Sequence, residues 1–154
     1  MDIFELSGGT MTLHIKSFPE LTARELYEIL RVRAAIFVVE QNCVYPDPDG
    51  IDLQSTHVWM EENGKILAYL RFFRKEGETD TVQIGRVLTT ERGKGYGAQI
   101  LQAGIGAAET RLHPKKLYLE AQSYAIGFYE KAGFRVTSAE FLEDGIPHVQ
   151  MTRK

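Results

Sequence analysis

The sequence predicts a single α/β (α+β) domain whose central sheet is mixed and mostly antiparallel. Asn63-Gly64, between two strand-like runs, is the strongest short signal for a β-hairpin. Residues 82–121 contain a β-branched run, a glycine-rich turn, a long helical pattern and a second apolar run. This order is typical of a β-loop-α-β unit, in which the two strands are parallel.

The other elements follow from local patterns along the chain. Residues 1–10 are expected to form a loose arm, and the alternation of residues 11–17 predicts a first strand. Thr22 and Glu25 have the spacing of a capping box and predict a helix after Thr22. The remaining elements are strands at 56–61, 65–74, 81–88 and 116–121, a helix at 98–112, a short helix capped by Ser123 and ending at Lys131, and a final hairpin of strands at 134–141 and 148–151.

Bulk properties exclude several classes of function. The chain has 154 residues, enough for one domain with a core, and a net charge of −3 argues against a nucleic-acid partner. No apolar run is long enough to cross a membrane, and the first residues lack the basic and apolar pattern of a secretion signal. The single cysteine, Cys43, cannot form an internal disulfide, so we expect a cytoplasmic protein.

The glycine-rich turn predicts a phosphate site. The turn between the strand and the helix has glycine at every second position, Gly93, Gly95 and Gly97, and also contains Arg92 and Lys94. Free amides at a helix N-terminus bind anions, and glycine lets the backbone approach phosphate oxygens. The spacing matches neither a P-loop nor a Rossmann fingerprint, so a nucleotide-binding protein is disfavoured. The remaining alternative is a turn with solvated basic residues.

The chain resembles the GNAT N-acetyltransferase superfamily. Arg92-x-x-Gly95-x-Gly97 is similar to the acetyl-CoA pyrophosphate loop, and Phe128-Tyr129-x-x-x-Gly133-Phe134 to the second half of the cofactor site. Residues 36–45 and 143–148 resemble the bacterial ElaA-like acetyltransferases. The resemblance implies a GNAT fold of about seven strands and about four helices, with a V-shaped splay between the fourth and fifth strands.

The resemblance also implies roles in acetyl transfer from acetyl-CoA to a primary amine in a ternary complex. Tyr129 matches the general acid that protonates the leaving sulfur. The base stays open between Glu120 and His148, with Glu40 and His57 as further options, because GNAT enzymes share no single base. The expected cofactor contacts are Val87, Leu88, Thr89, Arg92, Gly93, Lys94, Gly95, Tyr96, Gly97, Gln122 and Phe128.

The acceptor side is expected in residues 38–53, which concentrate acidic side chains. An acidic rim would attract a cationic amine. The alternative is a solvated acidic loop. The residue spacing of a calcium-binding loop is absent. The expected substrate contacts are Glu40, Tyr45, His57 and Arg86, and no metal is expected. Arg33 is expected to form a structural ion pair with Glu40 or Asp52.

Two functions from different classes are compatible with these patterns. The first is an acetyl-CoA-dependent N-acetyltransferase acting on a small-molecule or peptide amine, and the second is an acyl-CoA-binding regulatory module without turnover. Tyr129 favours the enzyme. The sequence does not determine the oligomeric state, and the last strand is the candidate edge for pairing in a homodimer.

Overall fold

One nine-stranded sheet organises the computed structural model, which describes residues 2–6 and 9–154. The strands follow the spatial order β1-β2-β3-β4-β5-β6-β9-β7, and β8 also pairs with β9. The strands are β1 (Asp2–Leu6), β2 (Gly9–Ser17), β3 (Thr56–Glu62), β4 (Lys65–Arg74), β5 (Thr81–Thr89), β6 (Lys116–Gln122), β7 (Arg135–Val136), β8 (Phe141–Glu143) and β9 (Ile146–Arg153).

Helices cover both faces of the sheet. They are α1 (Ala23–Arg33), α2 (Tyr96–Leu112) and α3 (Ile126–Glu130), with a π-helical segment, Ala34–Glu40, continuing α1. The larger apolar cluster includes Leu101 and Ile105 of α2. A second cluster, around Trp59, includes Ile29 and Val32 of α1. No helix in the described part of the chain is long and apolar enough to cross a bilayer.

The predicted fold class is confirmed, with differences at both ends. Asp2–Leu6 is a strand paired with β2, so these residues are not a loose arm, whereas Met1, Ser7 and Gly8 lie outside the described residues. The predicted strand at 134–141 is wrong, because only Arg135–Val136 and the separate β8 pair with β9 there. The sheet therefore has nine strands rather than about seven, and the described residues form three α-helices rather than four.

Two hairpins have the turn chemistry that their sequences predict. Asn63 and Gly64 have φ of 53° and 78°, and Asp144 and Gly145 have φ of 50° and 78°. Two successive positive φ values characterise the type I′ turn, whose twist matches that of the strands it joins. The second turn brings β8 back along β9, which determines where Glu143 and His148 lie.

The last strand is not an edge of the sheet. β9 pairs with β6 on one side and with β7 and β8 on the other. Its backbone groups are therefore used within the chain, and the argument for a homodimer through this strand is wrong.

The sheet opens between β5 and β6, its only parallel neighbours in the described chain. Their pairing covers just three positions, from Thr81 with Lys116 to Gln83 with Tyr118. Beyond Gln83, β5 stays with β4 while β6 stays with β9. The predicted splay between these strands is confirmed, and it leaves the inner edges of both strands free to face a ligand.

A β-bulge interrupts β5 beside this opening. Tyr69 of β4 pairs with Leu88 and Arg71 pairs with Gly85, so Arg86 and Val87 together lie opposite Leu70. Arg86 has a φ of 53°, a left-handed conformation that costs a residue with a Cβ about 1–2 kcal/mol. The surrounding structure must therefore hold this residue in place.

A closed ring of alternating charges connects the segment at 43–54, which we call the acceptor loop, to β4, β5 and α1. Each of its three arginines contacts two of its three aspartates, and each aspartate contacts two arginines. In order around the ring, the members are Arg33, Asp47, Arg86, Asp49, Arg71 and Asp52. We refer to it as the Arg–Asp ring.

Arg33 is the most deeply buried member of the ring. Its side chain is 0% exposed, with Nε donating to Asp47 Oδ2 at 2.9 Å and Nη1 donating to Asp52 Oδ1 at 2.6 Å. The expected pair with Asp52 is confirmed, whereas Glu40 pairs with Arg92 instead. A charge in this position needs such partners, because water cannot reach it.

Arg71 and Arg86 complete the ring on the open side. Arg71 donates two hydrogen bonds to the Asp49 carboxylate, at 2.8 and 2.7 Å, and a third to Asp52 at 2.8 Å. Arg86 Nε donates to Asp47 Oδ1 at 2.9 Å, and its Nη2 donates to the Asp47 carbonyl at 3.0 Å. The aspartates that looked like an acidic rim are thus neutralised by arginines, which corrects the interpretation of this loop as an acidic lip.

Substitutions at two glycines in α2 test its packing. A Cβ on Gly104 would lie 2.5 Å from Leu70 Cδ2 in the core, whereas a Cβ on Gly106 would meet nothing within 4 Å. Gly104→Ala should lower the free energy of unfolding by about 1–3 kcal/mol, the usual cost of overpacking. Gly106→Ala, the matched control, should raise it by up to about 1 kcal/mol through helix propensity. Urea unfolding checks both, and equal effects would contradict this packing.

The Arg–Asp ring should make stability depend on acid pH. Although partial burial opposes ionisation, the Arg71 and Arg86 guanidiniums lower the pKa of Asp49 from its ordinary 3.8 to about 2. Because the carboxyl titrates at the higher value in the unfolded chain, the ring stabilises the fold above about pH 4 and loses this contribution as the pH falls towards 2. Wild type should exceed Asp49→Asn in urea midpoint at pH 6, and the difference should shrink towards pH 2. A difference independent of pH would contradict this role of Asp49.

Candidate active site

A cleft of about 1360 Å³ lies where β5 and β6 diverge. The exposed strand edges form its walls, and the acceptor loop and the β8–β9 hairpin border it. The bulge residues Arg86 and Val87, with Leu88 and Thr89, line one wall. The opposite wall carries residues that alternate along β6, since the side chains of Tyr118, Glu120 and Gln122 share one face of that strand.

The glycine-rich loop leads into α2 beside this cleft. Gly93 and Gly95 have φ of 74° and 78°, and Gly95 is the N-cap residue of α2. The first intrahelical bond of α2 runs from the Gln99 amide to the Gly95 carbonyl at 3.3 Å. The amides before Gln99 have no acceptor within the helix and stay available to an anion. This arrangement fits a phosphate group, as the sequence predicts.

Close packing explains the third glycine. A Cβ on Gly97 would lie 3.3 Å from Phe128 Cε1 and 3.7 Å from Thr89 Cγ2. The helix start, the end of β5 and α3 therefore converge at this point. Arg92, Gly97 and Phe128 border the cleft, whereas Gly93, Lys94, Gly95 and Tyr96 belong to the loop and helix start outside its lining.

Two side-chain contacts bridge the mouth of the cleft. Arg92 of the glycine loop pairs with Glu40 of the π-helical segment, and both side chains are exposed. Gln122 Nε2, at the end of β6, donates to Gln41 Oε1 at 3.3 Å. A polyanionic ligand on the loop would compete with Glu40 for Arg92, because both are anions that seek the same guanidinium.

Tyr129 lines the cleft from α3. Its side chain is 9% exposed and packs edge-on against Phe128 and Phe134, with ring centroids 5.0 and 6.1 Å away. Burial, with a smaller contribution from Tyr124, raises the pKa of the Tyr129 phenol above its ordinary value. The hydroxyl is therefore protonated at neutral pH, the state that a general acid needs.

His148 faces the cleft from β9 in a defined tautomer. Its Nδ1 lies 2.7 Å from the Ile146 carbonyl, which can only accept, so Nδ1 carries the hydrogen. The lone pair of the neutral ring is then on Nε2, which lies 3.6 Å from Glu143 Oε2. Stacking on Phe141 fixes the plane of the ring. Nε2 is thus available to accept a proton.

Two neighbouring glutamates, Glu120 and Glu143, line this side of the cleft, and Glu143 is the one that contacts the imidazole. Glu120 Oε2 accepts a hydrogen bond from the Tyr118 hydroxyl at 2.8 Å, so one of its oxygens is already engaged. Burial and the neighbouring Glu120 carboxylate raise the pKa of Glu143, whereas His148 opposes the shift. Sequence reasoning missed Glu143 as a functional candidate. The Asp144-Gly145 turn signal could have found it, since this turn sets Glu143 near His148.

The expected substrate contacts divide between the cleft and the core. Glu40, Tyr45 and Arg86 border the cleft, and the Arg86 guanidinium lies 5.4 Å from the centre of the Tyr45 ring. His57 is 0% exposed; its Nδ1 accepts from the Tyr69 hydroxyl at 2.7 Å and its Nε2 donates to the Asp52 carbonyl at 3.0 Å. His57 therefore braces the acceptor loop, and its expected roles as base and substrate contact are corrected.

No set of three His, Cys, Asp or Glu side chains among the described residues is arranged to hold a metal ion. Cys43 is buried at the border of the cleft, with Sγ 3.7 Å from the Asp144 carbonyl.

Residues 48–154 match the family model described as the acetyltransferase (GNAT) domain. The chain is 37% identical to protein ElaA of Escherichia coli over 139 residues, which are 88% of this chain and 91% of that protein. It is 40% identical to a UPF0039 protein of Schizosaccharomyces pombe over 140 residues, 88% of this chain and 92% of that protein.

Solved structures agree with this assignment. The crystal structure of E. coli ElaA superposes with a TM-score of 0.88 at 34% identity, covering 94% of this chain and 99% of that chain. An acyl-CoA N-acyltransferase from Pseudomonas aeruginosa superposes with a TM-score of 0.87 at 36% identity, covering 93% and 99%. The chain therefore belongs to the GNAT acetyltransferase family, in the group of the ElaA and UPF0039 proteins.

Proposed function

We propose that the protein is an acetyl-CoA-dependent N-acetyltransferase that transfers an acetyl group to a primary amine by direct attack in a ternary complex. The observation that carries the proposal is the cleft between β5 and β6, which has an anion-binding loop at its mouth and a protonated tyrosine with a histidine lone pair on its walls. Both proton transfers that the reaction needs then have a group in the same cavity.

The cofactor would enter along the splay. Amides from the loop at 92–97 would bind the pyrophosphate, with Arg92 released from Glu40 to pair with it. The pantetheine arm would lie against the free edge of β5 at Val87, Leu88 and Thr89, and Gln122 and Phe128 would face it from the other side. The bulge amides would donate to the thioester carbonyl as negative charge develops on its oxygen.

We assign the base to His148. A primary ammonium ion has a pKa of about 10.4, so it must lose a proton before it attacks. The proton passes to His148 Nε2, directly or through a water molecule; Glu143 Oε2 lies 3.6 Å from this nitrogen. Glu120 stays in the proposal as a residue that attracts the cationic amine, together with Glu40.

The other proton transfers accompany formation of the C–N bond and cleavage of the C–S bond. The amine nitrogen bonds to the carbonyl carbon, the C–S bond breaks, and the sulfur takes a proton from Tyr129. The second proton of the nitrogen restores Tyr129 through solvent, and His148 releases the first proton to solvent. The products are the acetylated amine, free CoA and one proton. We place this reaction in the cytoplasm, where Cys43 would stay reduced.

Binding of acetyl-CoA tests the cofactor site. Calorimetry should detect binding of acetyl-CoA but not of NAD. Gly95 has a positive φ, which Asn and Asp tolerate better than other side chains, so two isosteric substitutions separate charge from shape. Gly95→Asp should weaken binding at least about 10-fold more than Gly95→Asn, because its carboxylate repels the pyrophosphate. Equal affinities, or no binding to wild type, would contradict the proposal.

Tyr129→Phe tests the general acid and separates the enzyme from a binding module. Loss of a positioned acid should lower kcat by about 10²–10⁴-fold while the Kd of acetyl-CoA stays within about 3-fold. Release of free thiol, followed across a panel of primary amines, measures turnover. Tyr27→Phe is the control, because this tyrosine of α1 is 65% exposed and lies outside the cleft lining. Undiminished turnover in Tyr129→Phe would exclude Tyr129 as the acid.

A further inference from the structure

The strained bulge and the Arg–Asp ring share one residue, Arg86. Its backbone occupies the left-handed region at φ 53°, and its side chain points into the ring. Val87, the next residue, has no partner of its own on β4, because it and Arg86 together lie opposite Leu70. The conformation at 86–87 is therefore not determined by the ladder between β4 and β5.

Hydrogen bonds from the Arg86 side chain hold the segment at 86–87 where ladder pairing with β4 is missing. Nε contacts the Asp47 carboxylate at 2.9 Å, while Nη2 contacts the Asp47 carbonyl at 3.0 Å and Asp49 Oδ2 at 3.3 Å. A planar guanidinium that donates in two directions fixes both its position and its orientation. Stacking on Tyr45 at 5.4 Å restricts it further.

Asp47, the hydrogen-bond partner of Arg86, is itself held in a fixed position. Asp47 is 4% exposed; its second oxygen accepts from the buried Arg33, and the Tyr45 hydroxyl donates to its first oxygen at 2.8 Å. The anchor for Arg86 is therefore part of the core of the acceptor loop and not a mobile surface carboxylate. Movement of the loop would pull directly on the bulge.

We propose that Arg86 is a positioning residue, through which the acceptor loop holds the bulge peptide at 86–87 in the orientation that meets the thioester. This inference rests on the proposed function, in which the bulge amides donate to the thioester carbonyl. The loop and the bulge then form one rigid unit. Distortion of the ring misplaces the amides at the transition state while leaving the loop that binds pyrophosphate unchanged.

Arg86→Gly removes the side chain but keeps the backbone conformation, because glycine adopts the positive φ of the bulge without strain. We expect kcat to fall about 100-fold, the order of loss caused by misplacing reacting groups by about 1 Å. The Kd of acetyl-CoA should stay within about 3-fold. Arg86→Lys should fail to restore kcat, since an ammonium group cannot make the forked contact. Guanidinium chloride below denaturing concentrations should restore part of it.

Arg24→Gln is the control for loss of one positive charge, since Arg24 is exposed at the start of α1 and lies outside the cleft lining. Wild-type kcat in Arg86→Gly, or equal losses in kcat and affinity, would overturn the proposal. If Arg86→Gly melts far below wild type, Asp49→Asn replaces it; this variant weakens the Asp49 contacts of both Arg86 and Arg71, leaves both Arg86 contacts to Asp47, and should lower kcat less than Arg86→Gly.

A measurement without turnover separates this inference from the proposed function. Amide chemical shifts of ¹⁵N-labelled, ligand-free protein report on both segments. In Arg86→Gly, amides at 47–52 and at 87–89 should shift together, whereas those of the loop at 92–97 should not. Shifts confined to the acceptor loop would overturn the proposed coupling, even if the protein is active. Absence of acetyl-CoA binding would overturn the proposed function and leave the coupling to be judged by these shifts.

Discussion

The Arg–Asp ring is the interaction on which the geometry of the cleft depends. It joins α1, the acceptor loop, β4 and β5 through three arginines and three aspartates, two contacts each. Buried ion pairs contribute little net stability compared with apolar packing, but they select one geometry. Here the selected geometry places an irregular loop without strands at the border of the sheet opening. The loop has few apolar contacts of its own that could do this.

The ring also determines which acids remain available to a substrate. Asp47, Asp49 and Asp52 are matched by arginines, so the negative charge of the acceptor loop is largely cancelled. Glu120 and Glu143 are among the cleft carboxylates that have no arginine partner in the described chain, and Glu143 Oε2 lies 3.6 Å from His148 Nε2. The carboxylates that can attract a cationic amine therefore lie on the β6 and β8 side of the cleft and not in the acceptor loop. That side also carries the proton acceptor of the proposed reaction.

Local sequence patterns predicted the parts of the structure that local chemistry controls. The turn at Asn63-Gly64 and the capping box of Thr22 and Glu25 depend on neighbouring residues alone. The limits of β4 were also predicted, because its apolar run is bounded by charged residues at both ends.

Contacts between residues that lie far apart in the sequence could not be predicted from local patterns. Arg86 and Asp47 are 39 positions apart, and a run of aspartates with prolines looks like a solvated loop unless its arginine partners are known. Sequence position likewise made His57 a candidate base, although Tyr69 and Asp52 occupy both of its ring nitrogens. The sequence also does not distinguish the two glycines of α2: Gly104 lies against Leu70, whereas a Cβ on Gly106 would meet nothing within 4 Å.

A crystal structure of the protein with acetyl-CoA bound is the most direct test of this account. We expect the pantetheine arm to lie between β5 and β6, with the thioester oxygen within hydrogen-bond distance of a backbone amide at 86–88. Arg86 should keep its contacts with Asp47, and Arg92 should leave Glu40 for the pyrophosphate. A thioester bound away from the bulge, or a ring that opens when the cofactor binds, would contradict the account.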